Sequence, residues 1–339
     1  MENVFYFKTI SSIGGVESFF YYLSQVYKNM VIYYRDADPL QVERLAKNIE
    51  VRKYKEPIKC KNFFCSYGYD IEVEAENYYH MVHYDANNVS FTPLTNDGFK
   101  YIGVSKVACK SFEEKTGNKC ELIYNIVPIK KKGLEKPKDK LHLISCTRLS
   151  PEKGGERIEV LANLLDKNGI DYTWTIYTNK TRYPFTSKNI VLKQENLNVL
   201  DEIEQSNWLV QLSRCESFGL SVCEALILGT PVIITDLPVF KELGCKHGEN
   251  ACICDLKMTN VDIDLIKKGI DKFDFKPPKS NWDKYLDNNS SYDPNELIDV
   301  IPLRNYTDIV IGYVLRNQVY KMTKARASYL EARGLVERV

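Results

Sequence analysis

Apolar positions along this chain alternate between short continuous runs and helical spacing. Residues 4–9 form an apolar run of strand length, broken by Ser11-Ser-Ile-Gly-Gly15. Over 16–29, Val16, Phe19, Phe20, Leu23, Val26 and Tyr27 recur at helical spacing, and 30–34 returns to a strand pattern. Strand, glycine loop, helix, strand is the opening of a parallel α/β layer. The same reading predicts strands at 78–83, 101–104 and 122–127, with a helix at 106–116.

Residues 130–140, KKKGLEKPKDK, are lysine-rich with Gly and Pro and little apolar content, the composition of a linker or a solvated loop. The alternation then restarts. Strands are predicted at 141–146, 172–177, 189–192, 208–212 and 231–235, and helices at 155–166, 198–205, 218–228 and from 239. Two doubly wound domains in series account for this order. Residues 256–297 are polar and predict short helices near 261–272 and 282–286. Beyond 297 the chain reads as strands at 297–303, 307–314 and 319–322. A helix then starts at Thr323 as N-cap and runs to Arg333, with Gly334 at C′. The division expected is 1–129 as the first domain, 130–140 as the linker, 141–296 as the second domain and 297–339 as a small ββα-like module. Such a module is too small to stand alone, so it docks on the body or on a partner.

The 339 residues are 44% hydrophobic and 27% charged, as in a soluble globular protein, and the net charge of +1 provides no global field toward nucleic acid or acidic membrane. The ten cysteines are scattered; Cys60/Cys65 and Cys252/Cys254 lack a second pair or nearby His at zinc spacing. They read as reduced thiols of a cytoplasmic protein with no metal site. The N-terminus lacks the basic and apolar regions of a signal peptide, and no apolar run approaches the roughly 20 residues that span a bilayer. Peripheral membrane contact stays open.

Three clusters fall at strand ends, where doubly wound sheets bind ligands. Gly14-Gly15 opens the first helix, where a plain turn or an anion-accepting helix start both fit. Arg148 and Lys153 lie on a loop between a strand and a helix; two cations there suit a diphosphate, or belong to a solvated basic loop. Glu216 and Glu224 flank Ser217-Phe-Gly-Leu220 at a third helix start. Carboxylates at two stations with a helix N-terminus between them match a ligand with hydroxyls at both ends and phosphate in the middle, a nucleoside-diphosphate sugar. A salt-bridged structural pair is the other reading.

"GGVE", "VS…YN", "RLSPEKGGE" and "ESFGLSVCEALILGTPVI" occur in that order over roughly 10–245 and resemble the GT4-type glycosyltransferases of the GT-B fold (glycosyl transferases group 1). The resemblance implies two Rossmann-like domains facing a cleft. The first lies on the acceptor side and the second binds the nucleotide sugar. It also implies retaining transfer, without metal or cofactor, from a donor for which UDP is favoured. By position, Glu216 would hold sugar hydroxyls, Ser217 or its neighbours would cap the helix, and Phe218, Gly219 and Leu220 would offer backbone amides. Glu224 would hold the ribose, and Arg148 and Lys153 would neutralise the diphosphate. Gly14 and Gly15 would face the phosphate or acceptor, and His83 would lie near the reacting carbon with His80 off the site. Thr147, Tyr177-Thr-Asn-Lys180 and Leu212 depart from the family pattern and leave the base contacts open.

A nucleotide-sugar 2-epimerase on the same fold is the alternative enzyme. A degenerate transferase binding polyanions through its tail is the alternative from another class, since seven Lys/Arg stand against three Asp/Glu from Arg304 onward. The partners expected are the donor, a glycan, protein or other hydroxyl-bearing acceptor, and a second copy through the C-terminal module. Nucleic acid is not favoured.

Overall fold

In the computed structural model, which describes residues 3–180, 182–289 and 291–339, the first part of the chain forms a seven-stranded parallel sheet. Its elements are β1 (Asn3–Ile10), α1 (Gly15–Val26), β2 (Met30–Ala37), α2 (Pro39–Ala46), β3 (Glu50–Lys53), β4 (Ile58–Cys65), β5 (Val73–Val82), β6 (Phe99–Gly103), α3 (Lys106–Thr116) and β7 (Cys120–Leu122). The strand order is β3-β2-β1-β4-β5-β6-β7. A second parallel sheet follows, built from β8 (Leu141–Cys146), α4 (Gly155–Lys167), β9 (Tyr172–Thr178), β10 (Ile190–Gln194), α5 (Leu200–Gln205), β11 (Trp208–Gln211), α6 (Leu220–Ile227), β12 (Val232–Thr235), α7 (Pro238–Glu242) and β13 (Ala251–Cys254), with α8 (Ile263–Lys268) after it. Its order is β10-β9-β8-β11-β12-β13. In both sheets the first strand sits beside the fourth, where the winding reverses. The loops after β1 and β8 therefore open at a switch point, the place where such sheets bind ligands. The fold is α/β with two Rossmann-like domains.

Local chemistry explains several boundaries. Ser105 caps α3 by accepting from Ala108 N at 3.0 Å, and Gly117 at φ 75° ends it. Asp38 caps α2, a helix of only eight residues within a stretch whose pattern predicts no element. β3, β4, β13 and a last strand, β18 (Val336–Arg338), are likewise additions to the predicted set. The strand expected at 122–127 is instead β7, which ends at Leu122. Ile123 and Val127 beyond it are buried without belonging to a strand.

Glu204, buried in α5, accepts hydrogen bonds from the backbone N–H groups of Lys132, Gly133 and Leu134. The connecting segment is thus pinned to the second domain. The chain then crosses back. Residues 282–286, expected inside the second domain, pack against the first. Trp282 is fully buried with ring centroids 5.7 Å from Phe19, 6.0 Å from Phe64 and 6.3 Å from Phe5. Asp283 accepts from the Tyr27 hydroxyl at 2.8 Å, and Lys284 reaches Glu121 at 2.7 Å.

The C-terminal module comprises β14 (Leu297–Pro302), β15 (Tyr306–Asp308), β16 (Gly312–Val314), β17 (Tyr320–Thr323), α9 (Lys324–Ala332) and β18. β17, β14 and β18 form an antiparallel sheet over a small core of Val300, Met322, Ala327, Leu330, Leu335 and Val336. The single strand expected at 307–314 is a hairpin, because Gly312 takes φ 80° and the chain turns at 309–311. The module docks on the body: α9 packs on α2, and Ser328 and Arg338 both donate to the Val51 carbonyl of β3, at 3.2 and 2.8 Å. Among the described residues no helix is long and apolar enough to cross a membrane.

Candidate active site

The two sheets meet across a cleft of about 620 Å³. The eleven residues that the sequence marks, from Gly14 to Glu224, all line it.

The second-domain wall is built where β8 and β11 end. After β8 the chain makes a short turn, Pro151–Lys153, and enters α4 through Gly154 at φ 80°. A Cβ on Gly154 would lie 2.1 Å from the Leu212 carbonyl oxygen, so glycine is what lets this loop press against the exit of β11. That approach brings Lys153 to Glu216: Nζ stands 2.7 Å from Oε1. The same oxygen accepts from Ser213 Oγ at 2.7 Å and Gln211 Nε2 at 3.0 Å. Lys153 and Glu216, given separate tasks by the sequence, are therefore one unit, so an anion that draws Lys153 changes the charge balance at Glu216. Arg148 is different. Its side chain is 61% exposed and touches Glu152 at 3.1 Å, so it can swing toward a ligand at little cost.

The α6 N-terminus completes this wall. Gly219 takes φ 83° as its N-cap, and a Cβ there would meet the Phe240 ring at 2.7 Å. Phe218 is buried, so it presents backbone rather than side chain to the cleft. The helix begins at Leu220, so Glu224 sits little more than one turn inside it, not the two turns that a start at 218 implies. Glu224 is buried and accepts from the Tyr22 hydroxyl at 2.7 Å. Burial pushes its carboxyl above the ordinary glutamate range, against the pull of the Tyr22 bond and the Arg44 guanidinium. Burial and the Glu224 charge likewise push the Tyr22 phenol up.

On the first-domain wall, the Glu17 carboxylate folds back over Gly14, where a Cβ would lie 2.2 Å from it, and accepts from Ser11 N at 2.9 Å. Glycine at 14 thus makes room for the group that fixes the loop, and Gly15 has open space before it. His83 lies just past β5 with the Phe19 ring edge-on at 4.8 Å. Burial, reinforced by His80, lowers its pKa to about 3, so it is a neutral imidazole. His80 does not line the cleft; its Nε2 lies 3.2 Å from the Tyr84 hydroxyl.

Four cleft-lining side chains hold buried polar atoms with no partner among the described residues: Ser66 Oγ, His83 Nε2, Asn125 Oδ1 and Thr178 Oγ1. Buried polar atoms are normally satisfied, so a cluster of exceptions around one cavity marks a place for a polar ligand. Of these the sequence marks only His83 as a site residue. Thr178 is the last residue of β9, and Asn125 closes the Tyr-Asn of the "VS…YN" motif; those positions were the available signals. Arg44, stacked 3.5 Å over the Tyr21 ring, and Glu195, which accepts from Ser12 Oγ at 2.5 Å across the cleft, also line it without forewarning. No group of three or more His, Cys, Asp or Glu is placed to hold a metal ion among the described residues.

This architecture is that of the GT-B glycosyltransferases. Anabaena Alr3699/HepE, solved with UDP and glucose, superposes with a TM-score of 0.60 at 13% identity over 79% of this chain and 89% of its own. The same protein solved with UDP-glucose gives 0.60 at 13% over 79% and 90%. A glycosyltransferase from Rickettsia africae ESF-5 gives 0.57 at 12% over 78% and 88%. Residues 127–281, a little under half of the chain, match the family model described as glycosyl transferases group 1, the group that the motifs of the sequence resemble. No curated protein sequence matches the chain.

Proposed function

We propose that the protein is a retaining, metal-independent glycosyltransferase. In this reading it moves a sugar from a nucleoside-diphosphate donor, with UDP-sugars favoured, to a hydroxyl of a glycan, protein or other acceptor. The observation that carries the reading is the convergence of the Lys153–Glu216 pair, the exposed Arg148 and the α6 N-terminus on one wall of the cleft. The Anabaena neighbour solved with UDP-glucose supports the choice of base.

The chemistry follows from charge. Cleaving the anomeric bond leaves negative charge on the diphosphate and positive character on the sugar ring. Lys153, Arg148 and the helix dipole, worth about half a positive charge, stabilise the first. As Lys153 turns to phosphate, Glu216 is released toward the sugar hydroxyls while Ser213 and Gln211 hold its position. Neutral His83 offers a hydrogen bond near the reacting carbon without adding a competing cation. The acceptor attacks on the leaving-group face, and the departing phosphate oxygen takes its proton, so no protein nucleophile is required. Glu224 serves the ribose. The enzyme works in the cytoplasm, where ten unpaired thiols suit the reducing medium.

The test is incubation with a panel of UDP-sugars, with and without EDTA, followed by NMR of the product anomer. Transfer with retention that survives EDTA supports the reading. If UDP does not bind and no donor is consumed, the reading fails.

A further inference from the structure

The β15–β16 hairpin takes no part in this chemistry, yet it carries the most exposed large apolar side chain among the described residues, Ile309. At its tip Ile309 is 89% exposed and Val310 72%, and Ile311 is exposed beside them. Tyr313 on β16 is 65% exposed, and Leu315 and Val319 extend the apolar surface beyond it. The tip is held in shape from below. Buried Asp308 accepts from Val310 N at 2.8 Å and Ile311 N at 3.3 Å, and its second oxygen accepts from Arg326 of α9 at 2.8 Å. That clamp spends the hairpin's only acid internally and fixes the backbone of the tip. Arg304 and Arg316 flank the base of the hairpin, both exposed and with no ion-pair partner among the described residues. The Asn305 side chain accepts from Arg316 N at 2.7 Å, which keeps the two arginine segments adjacent.

We propose that this hairpin docks the protein on the surface of an anionic lipid bilayer. Ile309, Val310 and Ile311 enter the boundary between headgroups and acyl chains, Tyr313 sits at headgroup level, and Arg304 and Arg316 meet the lipid charges. Apolar tip, interfacial aromatic and flanking cations supply the two signals, hydrophobic and electrostatic, that stable peripheral binding needs. A second copy of the chain suits the surface less well. A narrow convex prong offers little of the roughly 800 Å² per partner that a stable interface buries. A two-fold contact through it would also gather four arginines, two from each copy, at one small interface, with the Asp308 carboxylate already held by Arg326.

The experiment is flotation of the full chain with vesicles of phosphatidylcholine alone and of phosphatidylcholine with phosphatidylglycerol, read without donor or turnover, so its outcome is independent of the transferase reading. The protein should float with the phosphatidylglycerol vesicles, not with phosphatidylcholine alone, and less at high salt. Ile309→Asp with Val310→Asp should weaken binding about tenfold or more. Arg304→Glu with Arg316→Glu should weaken it about fivefold or more. Thermal unfolding should be unchanged in both, because the altered side chains face water. Ile309→Trp should retain binding and shift its emission to the blue on phosphatidylglycerol vesicles. Failure of the wild type to bind, or equal binding by wild type and variants, overturns the proposal. Light scattering that shows a dimer broken by the aspartate pair also overturns it and assigns the hairpin to a second copy.

Discussion

The Tyr22 hydroxyl donates a 2.7 Å hydrogen bond to Glu224, tying α1 of the first domain to α6 of the second through two buried polar groups. Tyr22→Phe leaves that carboxyl without its donor in apolar surroundings, at a cost of about 1–3 kcal/mol in urea unfolding. The cost depends on pH. Burial already raises the Glu224 pKa above its unfolded value, so its favourable contribution is full below the ordinary glutamate range and lost as pH rises through the raised value. The tyrosine bond opposes that loss. The Phe variant is therefore expected to show its largest deficit at neutral pH and a smaller one in acid, where Glu224 takes up a proton.

At the Lys153–Glu216 pair the two single substitutions separate binding from chemistry. Glu216→Ala should reduce kcat by about a hundredfold or more, in line with loss of one group that acts in the transition state, while circular dichroism stays native. Lys153→Met should weaken UDP binding about tenfold or more in calorimetry, since one charge on the diphosphate is lost. Wild-type turnover in the first variant, or unchanged affinity in the second, contradicts the roles given to them.

Gly154→Ala is expected to be costly although it adds a single methyl. The residue stands at φ 80°, and its Cβ would meet the backbone oxygen of Leu212, which cannot swing aside as a flexible side chain would. Strained backbone of this kind costs about 1–3 kcal/mol. Thermal unfolding should drop accordingly. UDP affinity should fall with it, because the displaced loop carries Lys153.

His80 and His83 set the acid limb of stability. Burial lowers their pKa values to about 4 and about 3, against 6.5 when unfolded. Between those values the unfolded chain binds more protons, so the contribution is present above about pH 6.5 and is lost as pH falls toward 4 and then 3. Each histidine gives a slope of about 1.4 kcal/mol per pH unit. Denaturant midpoints measured from pH 7 to pH 5, above most carboxylate titration, should fall in the wild type and flatten in a His80→Gln, His83→Gln variant.

Much of the fold was legible where signals are local. α3 runs from Lys106 to Thr116 as its pattern predicts because Ser105 and Gly117 mark both ends. Thr323 caps α9 by accepting from Arg326 N at 3.2 Å, and Gly334 follows at φ 64°. The glycine, cation and carboxylate clusters could be placed at the cleft because strand ends fix where loops gather. Arg44 and Tyr22 could not, since each reaches the cleft only through the way α1 and α2 meet the other domain. The 307–314 run reads as one strand because Asp308 and Gly312 declare a turn only once Asp308 is seen to hold the tip. Trp282 is an apolar residue in a polar stretch, and nothing local states which domain it will enter.

That last insertion has a consequence for the order in which a ribosome delivers this protein. The first sheet emerges early, but the indole that fills its core, and the α9 helix that covers α2, lie roughly 150–200 residues further along. At about 5–20 residues per second, the amino-terminal half waits on the order of ten seconds or more with an unfilled pocket among Phe5, Phe19 and Phe64. The second sheet, contiguous in the chain, has all its strands by Cys254. It is thus equipped to mature as a nascent domain before the earlier-made half can close.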